Sequence, residues 1–388
     1  MLLNNTFRYE IPTVVEFGNG SIKTLPNHVE NLGGTKVLIV CDPGVLQAGV
    51  VSKVEASLEQ GDIPFAVFSD IEADPAIESV DAGLQLAKDE GCDTVVGIGG
   101  GSSLDTAKAI GLMLNNSGHI RDYVGIDKVP NPGVPVIAIP TTAGTGSEIT
   151  IWSVLSDKKE KVKVSVGSVY NCPNIALCDP ELTVTLPPHI TAATGMDALT
   201  HALESYVNKA TQPISEGLSI QSMKMIANHL RIAVVQGENI EARSNMLLGS
   251  LIAAMAFNST RLGLAHALAI PLGAHFKIPH GTVNAILLPE VMEFNIIGNP
   301  SKFAELASIF GVNTVGMTER EAAEKAVEAV RQLKSDIGIT QTLSDFGLKE
   351  EHLDFIVEEA MLSGNVPVNP RKPTLEDLKN ICRAAMKE

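Results

Sequence analysis

At 388 residues the chain is too long for one small core and long enough for two domains of ordinary size. Hydrophobic residues make up 45% and aromatics 4%, which excludes a disordered chain and a base-stacking surface. A formal net charge of -16 repels phosphate backbones and argues against a nucleic-acid partner.

Five cysteines, Cys41, Cys92, Cys172, Cys178 and Cys382, form no CxxC, and their odd number suits free thiols in a reducing compartment. Residues 1–12 lack a basic segment followed by an apolar one, so no secretory signal is expected. The longest apolar stretch, residues 246–257, is interrupted by Gly249 and Ser250 and falls short of the ~20 residues that span a bilayer. The expectation is a cytoplasmic protein with no membrane partner.

In chain order, residues 36–41 (KVLIVC), 65–68, 94–98 (TVVGI) and 135–139 (PVIAI) are short, β-branched, apolar runs bounded by Gly, Pro or Asp, and predict buried strands. Residues 50–60 and 77–90 repeat apolar positions at three- and four-residue steps, and predict helices. This alternation predicts a parallel sheet with helices on its faces. After Leu186-Pro187-Pro188 strand signals almost vanish. Helices are predicted over residues 196–208, 216–235, 241–257, 262–272, 283–294 and 319–337. The reading is an α/β Rossmann-like domain over residues 1–188, followed by an all-helical domain over 189–388.

Residues 94–108 read as strand, glycine turn and helix start. Gly99, Gly100 and Gly101 leave the backbone bare for phosphate oxygens at a helix N-terminus, and Ser102 or Ser103 can cap the helix or donate to phosphate. The usual dinucleotide fingerprint is incomplete, because Ser102 stands at its third glycine. A tight turn without a ligand explains the segment equally well. Residues 140–148 (PTTAGTGSE) also follow a strand, and Thr141, Thr142, Thr145 and Ser147 suit either a polar ligand wall or a helix-capping loop. Asp42, just after the first predicted strand, can accept from a ribose diol and repel a 2′-phosphate, or can serve simply as a turn residue in Asp-Pro-Gly.

Asp197 and His201 are four residues apart in a helical pattern and share one helix face. His266 lies in an apolar, close-packed helix where an imidazole needs a partner, and His280 sits in a Pro-His-Gly sequence that reads as a turn. Together the four would supply one charged oxygen and three imidazoles, a set suited to Fe²⁺ or Zn²⁺ with a position open to substrate. Each histidine taken singly is better explained as a core or surface residue than as a ligand, and the i, i+4 pair is the firmest part of the set.

GGGSSLDTAK (99–108), IPTTAGTGSE (139–148), CDPELTVTLPP (178–188), TGMDALTHALESY (194–206) and GLAHALAIPLGAHFKIPHG (263–281), in this order, resemble the iron-containing (group III) alcohol dehydrogenase family over essentially the whole chain. The resemblance implies hydride transfer between NAD and a small alcohol or aldehyde, Fe²⁺ with Zn²⁺ as the alternative, and a homodimer or larger assembly. It assigns the metal to Asp197, His201, His266 and His280. It assigns the pyrophosphate to Gly99, Gly100, Gly101, Ser102 and Asp105, and the region near phosphates and nicotinamide to Thr141, Thr142, Thr145 and Ser147. Asp42 matches the position favouring NAD, and Lys163 a ribose-contacting lysine. Ile151, Phe257, Leu262 and Ile270 are implied as an apolar substrate wall. Many members carry a second histidine where this chain has Ile270, so that imidazole's proton relay does not carry over. Arg261 either holds an anionic tail (carboxylate, sulfonate or phosphonate) or faces solvent. Rival readings are glycerol dehydrogenase-like chemistry, a dehydroquinate synthase-like lyase, and a non-enzymatic ligand-binding module.

Overall fold

The structure, a computed structural model, describes residues 6–72, 74–160 and 162–387. Residues 1–5 of the segment read for a secretory signal, and Lys161 beside Lys163, lie outside the described residues. The chain divides into two compact units, Ile11–Leu186 and residues 187–387 joined by residues 6–10.

The first unit contains β1 (Val14–Phe17), α1 (Leu25–Asn31), β2 (Val37–Val40), α2 (Pro43–Gln47), α3 (Val51–Gln60), β3 (Phe65–Phe68), α4 (Ile77–Glu90), β4 (Thr94–Gly99), α5 (Gly101–Leu114), β5 (Gly125–Ile126), β6 (Val136–Pro140), β7 (Trp152–Asp157), β8 (Val162–Gly167) and β9 (Ile175–Cys178). Six strands form a sheet in the order β1-β9-β6-β4-β2-β3, and every pair in it is parallel. The parallel sheet read from the apolar runs is therefore present. Its central strands are buried on both faces: Leu38 and Val40 join one core, and Val37 and Ile39 join the core on the other side. The chain runs from β2 outward to β3, then returns to β4 on the other side of β2. That reversal is the topological switch point where ligands of such sheets bind, and the segments after β2 and β4 flank it.

Sequence patterning did not foresee β1, β9 or the β7–β8 hairpin, whose β8 also pairs with β5 in a separate three-stranded sheet. Val14, Val154 and Val162 are exposed on β1, β7 and β8, so the apolar runs that reveal a buried strand are missing there, whereas β9 is a buried apolar run that the sequence reading passed over.

The second unit contains α6 (Pro188–Val207), α7 (Pro213–Val235), α8 (Ile240–Phe257), α9 (Leu264–Phe276), α10 (His280–Asn295), α11 (Pro300–Ile309), α12 (Glu319–Asp336), α13 (Leu353–Met361) and α14 (Leu375–Ala385), with no strand among its described residues. Pro271 lies inside α9 and Pro289 inside α10, yet both helices continue. Each proline removes one backbone hydrogen bond. Buried neighbours such as Leu268, Leu272, Leu288 and Val291 hold the two helices in place by packing. One expectation needs correction. His280 is the first residue of α10, not part of a turn. The reversal is complete earlier, where Lys277 ends α9 at φ 54 and extended Pro279 caps α10.

The five cysteines are free, four of them buried, and burial pushes the Cys41 and Cys382 thiols up to about 12, which leaves them unreactive. Among the described residues no helix is long and apolar enough to cross a membrane.

Candidate active site

In the helical unit, α6 is amphipathic in an unusual sense: its buried face carries Asp197, His201 and Glu204 along with leucines and alanines. A shared helix face puts Asp197 and His201 one turn apart. From α9 comes His266 and from the start of α10 comes His280. Asp197 Oδ1 lies 4.0 Å from His201 Nε2, 3.6 Å from His266 Nε2 and 3.7 Å from His280 Nε2. Asp197, His201 and His266 are buried, whereas the His280 side chain is 41% exposed. The His201 and His266 rings stack with centroids 4.6 Å apart.

Burial by itself would raise the Asp197 carboxyl, but the charges of His201 and His280 and the His266 hydrogen bond hold it far below the usual carboxylate range. Burial likewise opposes a charged His266. Its hydrogen bonds to Asp197 and Glu204 outweigh that and push it up to about 9.

Two residues beside the cluster escaped the sequence reading. Glu204, seven residues beyond Asp197 on α6, accepts from His266 Nδ1 at 2.7 Å and from the backbone amides of Gly263 and Ala265 at 2.8 and 2.7 Å. It thereby ties the start of α9 to α6 and fixes the His266 ring with Nδ1 toward Glu204 and Nε2 toward Asp197. Asn284 lies one turn after His280 on α10 and is wholly buried among the same groups. The available signal for both was a polar side chain recurring on the apolar face of a helix that carries a metal-ligand residue type.

In the α/β unit, Gly100 precedes α5, and no side chain caps its N-terminus. Gly99 has φ 145, and a Cβ there would meet Ser103 Oγ at 2.5 Å. The neighbouring loop after β6 lies directly on these glycines: a Cβ on Gly101 would come within 2.9 Å of Thr145 Cγ2, and one on Gly100 within 3.4 Å of Thr142 Cγ2. Gly99 pairs with Pro140 in register, so both loops leave the same sheet edge. Asp42 caps α2, its Oδ1 accepting from Gly44 and Val45 amides at 2.9 and 3.1 Å, while its Oδ2 accepts from Ser103 Oγ at 3.0 Å. Asp42 is thus a turn residue and also part of the loop cluster. Asp105 accepts from Ser147 Oγ and from the Val154 amide, and so braces the two loops from beneath. Thr141 is buried, and Ser102 is half-buried in the first turn of α5. Lys163, on β8, forms an ion pair with Asp74 at 2.7 Å.

Of the residues read as a substrate wall, Phe257 places its ring 4.5 Å from that of His201. Leu262 is half-buried, and its amide donates to Asn365 Oδ1 at 3.3 Å. Ile270 is 40% exposed, one helical turn beyond His266. Ile151 is half-buried and belongs to the α/β unit. Arg261 is exposed and adopts φ 64, a conformation uncommon for a residue with a Cβ. Its carbonyl accepts from Asn208 Nδ2 at 3.0 Å and Thr260 Oγ1 at 2.8 Å, and its Nη1 lies 3.4 Å from the Gly364 carbonyl oxygen.

A glycine loop at the switch point of a parallel sheet suits a dinucleotide, and a buried carboxylate–imidazole cluster on helices suits a cation. Residues 12–180 match the family described as iron-containing alcohol dehydrogenase, and residues 191–386 match its C-terminal part. The 1,3-propanediol dehydrogenase of Citrobacter freundii is 42% identical over 98% of this chain and 98% of its own length. The NAD-dependent methanol dehydrogenase of Bacillus methanolicus is 39% identical over 97% of this chain and 99% of its own. A crystal structure of 1,3-propanediol oxidoreductase superposes with a TM-score of 0.96 at 41% identity, covering 98% of this chain and all of that one. The chain belongs to the iron-containing alcohol dehydrogenase family. Its activity is that of an oxidoreductase of the alcohol dehydrogenase class, which sets aside the lyase and non-enzymatic readings.

Proposed function

We propose that the protein interconverts a small primary alcohol and its aldehyde by hydride exchange with NAD, using a divalent cation held by Asp197, His201, His266 and His280. Fe²⁺ is the favoured ion and Zn²⁺ the alternative. The observation that carries this reading is the approach of three imidazole Nε2 atoms to one carboxylate oxygen, at 3.6 to 4.0 Å. Two ligand atoms each about 2.0–2.2 Å from one ion lie no more than about 4.4 Å apart. Among the described residues the ligand atoms of Asp197, His201 and His266 lie within 4.8 Å of one another, a set that could hold one cation, and His280 approaches Asp197 from a more exposed position. A donor set of one carboxylate and neutral imidazoles fits both ions.

Such a cation, when bound, supplies Lewis acidity that favours ionisation of an alcohol hydroxyl and polarises an aldehyde carbonyl. The chain's own residues do the rest. Glu204 orients His266, and Phe257 lays an apolar ring against His201, which suits a short aliphatic substrate and excludes water. Gly99, Gly100 and Gly101 offer bare amides to the coenzyme pyrophosphate, with Thr142 and Thr145 alongside. The Asp42 carboxylate keeps lone pairs for ribose hydroxyls and repels a 2′-phosphate, which favours NAD over NADP. Lys163 reaches the ribose only by exchanging its Asp74 partner. The relatives named for 1,3-propanediol and methanol support a small primary alcohol as substrate. A cytoplasmic homo-oligomer fits the same reading.

The test is NADH formation by protein stripped of metal and reloaded with Fe²⁺ or Zn²⁺, across a panel of short primary alcohols with NAD or NADP. Turnover that needs the added ion and prefers NAD is expected. A loaded protein that binds NAD but turns over none of the panel rejects the proposal.

An anionic substrate is a second reading, favoured by the exposed, strained Arg261 four residues beyond Phe257. Arg261→Ala is then expected to raise KM for hydroxy acids or sulfonates by roughly tenfold or more, as loss of a charge-assisted pair does, while sparing neutral alcohols. Equal effects on both substrate classes assign Arg261 to the surface.

A further inference from the structure

Asn284 is a wholly buried amide whose two ends are treated very differently. Its Nδ2 lies 2.7 Å from Asp197 Oδ1, 3.1 Å from His266 Nε2 and 3.2 Å from His280 Nε2. Its Oδ1 is buried with no hydrogen-bond partner. Asp197 Oδ1 accepts from it, and the two ring nitrogens crowd the same amide end.

The orientation of this amide follows from the network around it. Asp197 is a carboxylate and only accepts. Turning the amide by half a turn would set its carbonyl oxygen against that carboxylate oxygen, two acceptors with no proton between them. Nδ2 toward Asp197 is therefore the arrangement that makes a hydrogen bond. The cost is a carbonyl left unpaired in the interior, and natural interiors rarely keep such a group without a reason. A leucine has the same branched skeleton with no polar atom to satisfy.

We propose that Asn284 is a positioning residue of the cation site. Its N–H donates to Asp197 Oδ1, which keeps a second lone pair for a cation, and the same amide end packs against the His266 and His280 rings and fixes where they stand. The placement suits this role: Asn284 follows His280 by one turn of α10, so a single helix supplies both a ligand and the group that aligns it with ligands from α6 and α9. This inference rests on the reading of Asp197, His201, His266 and His280 as cation ligands.

The test measures binding of Co²⁺ and Zn²⁺ to the stripped full-length protein, with thermal melting of the metal-free form and the Co²⁺ ligand-field spectrum as further readouts. Asn284→Leu keeps the branched skeleton and removes the amide. The expected result is affinity weaker by 10- to 100-fold, as for other groups behind metal ligands, a changed Co²⁺ spectrum, and a metal-free melting temperature no lower than that of the unaltered protein. Affinity within twofold and an unchanged spectrum overturn the proposal. So does a lower metal-free melting temperature with unchanged affinity, which marks a packing role, and so does tighter binding, which marks a competitor. Should the leucine variant fail to fold, Asn284→Ala is read by the same criteria. Failure of the unaltered protein to bind either ion would instead remove the metal-site reading itself, and this inference with it.

Discussion

Glu204→Ala is expected to lower the stability of the helical unit by roughly 3–5 kcal/mol, a fall in melting temperature on the order of 6–20 °C for about 200 residues. The size follows from what one carboxylate satisfies. Its two oxygens accept from three donors, the Gly263 and Ala265 amides and His266 Nδ1, at 2.7 to 2.8 Å. All three donors are buried, so alanine leaves them without a partner and without water. Glu204→Gln separates stability from function. It keeps the shape and one acceptor oxygen, but brings an NH₂ that meets N–H groups already in place. The His266 ring is then no longer fixed. Metal content at limiting ion and kcat/KM for an alcohol should each drop about 10- to 100-fold, with less loss of stability than in the alanine variant. A glutamine variant that retains both at the level of the unaltered protein would show that His266 is oriented by something else.

The parts of this architecture that could be read in advance are those with a period or a composition to read. The runs around Val37–Val40 and Thr94–Gly99 are buried on both faces, so their sequences are continuously apolar and bounded by turn residues. Strand β7 alternates buried with more exposed positions over only six residues, the first four residues of β8 are exposed or half-buried, and the turn between them is charged, so they resemble a loop. The helices expected over residues 262–272 and 283–294 contain Pro271 and Pro289, and tertiary packing carries both helices past them. In the site, residue types that ligate metals drew attention to Asp197, His201, His266 and His280. Glu204 and Asn284 did not stand out, because their roles depend on helices that meet only after folding. Glu204 needs the backbone of α9, and Asn284 needs ligands from three helices. Gly281 belongs to the same category, since its sequence context, Pro-His-Gly, suggests a turn while its function is to let two helices touch.

Gly281 is the position where the smallest substitution is expected to do the most harm to the candidate metal centre. It is the second residue of α10, and a Cβ there would lie 2.3 Å from the Ala193 carbonyl oxygen, 2.8 Å from its carbonyl carbon and 3.4 Å from Asp197 Cβ. Those first two atoms are backbone in the interior of the 20-residue helix α6, so they have no rotamer with which to yield. The start of α10 must move away instead, taking with it His280, the adjacent residue. Two effects on stability oppose each other. Alanine in a helix is favoured over glycine by about 1 kcal/mol, while overpacking costs roughly 1–3 kcal/mol. The net loss for Gly281→Ala is therefore small, and the protein should remain folded. The geometry is less forgiving. His280 Nε2 now lies 3.7 Å from Asp197 Oδ1, and displacement by about 1 Å can cost on the order of 100-fold in rate. Gly281→Ala should accordingly give a protein that melts within a few degrees of the unaltered one, binds Zn²⁺ or Fe²⁺ at least tenfold more weakly, and loses about two orders of magnitude in kcat/KM. Measured affinity and kcat/KM that match the unaltered protein would mean that α10 and α6 are not packed as closely as these distances require, and that His280 does not depend on their contact.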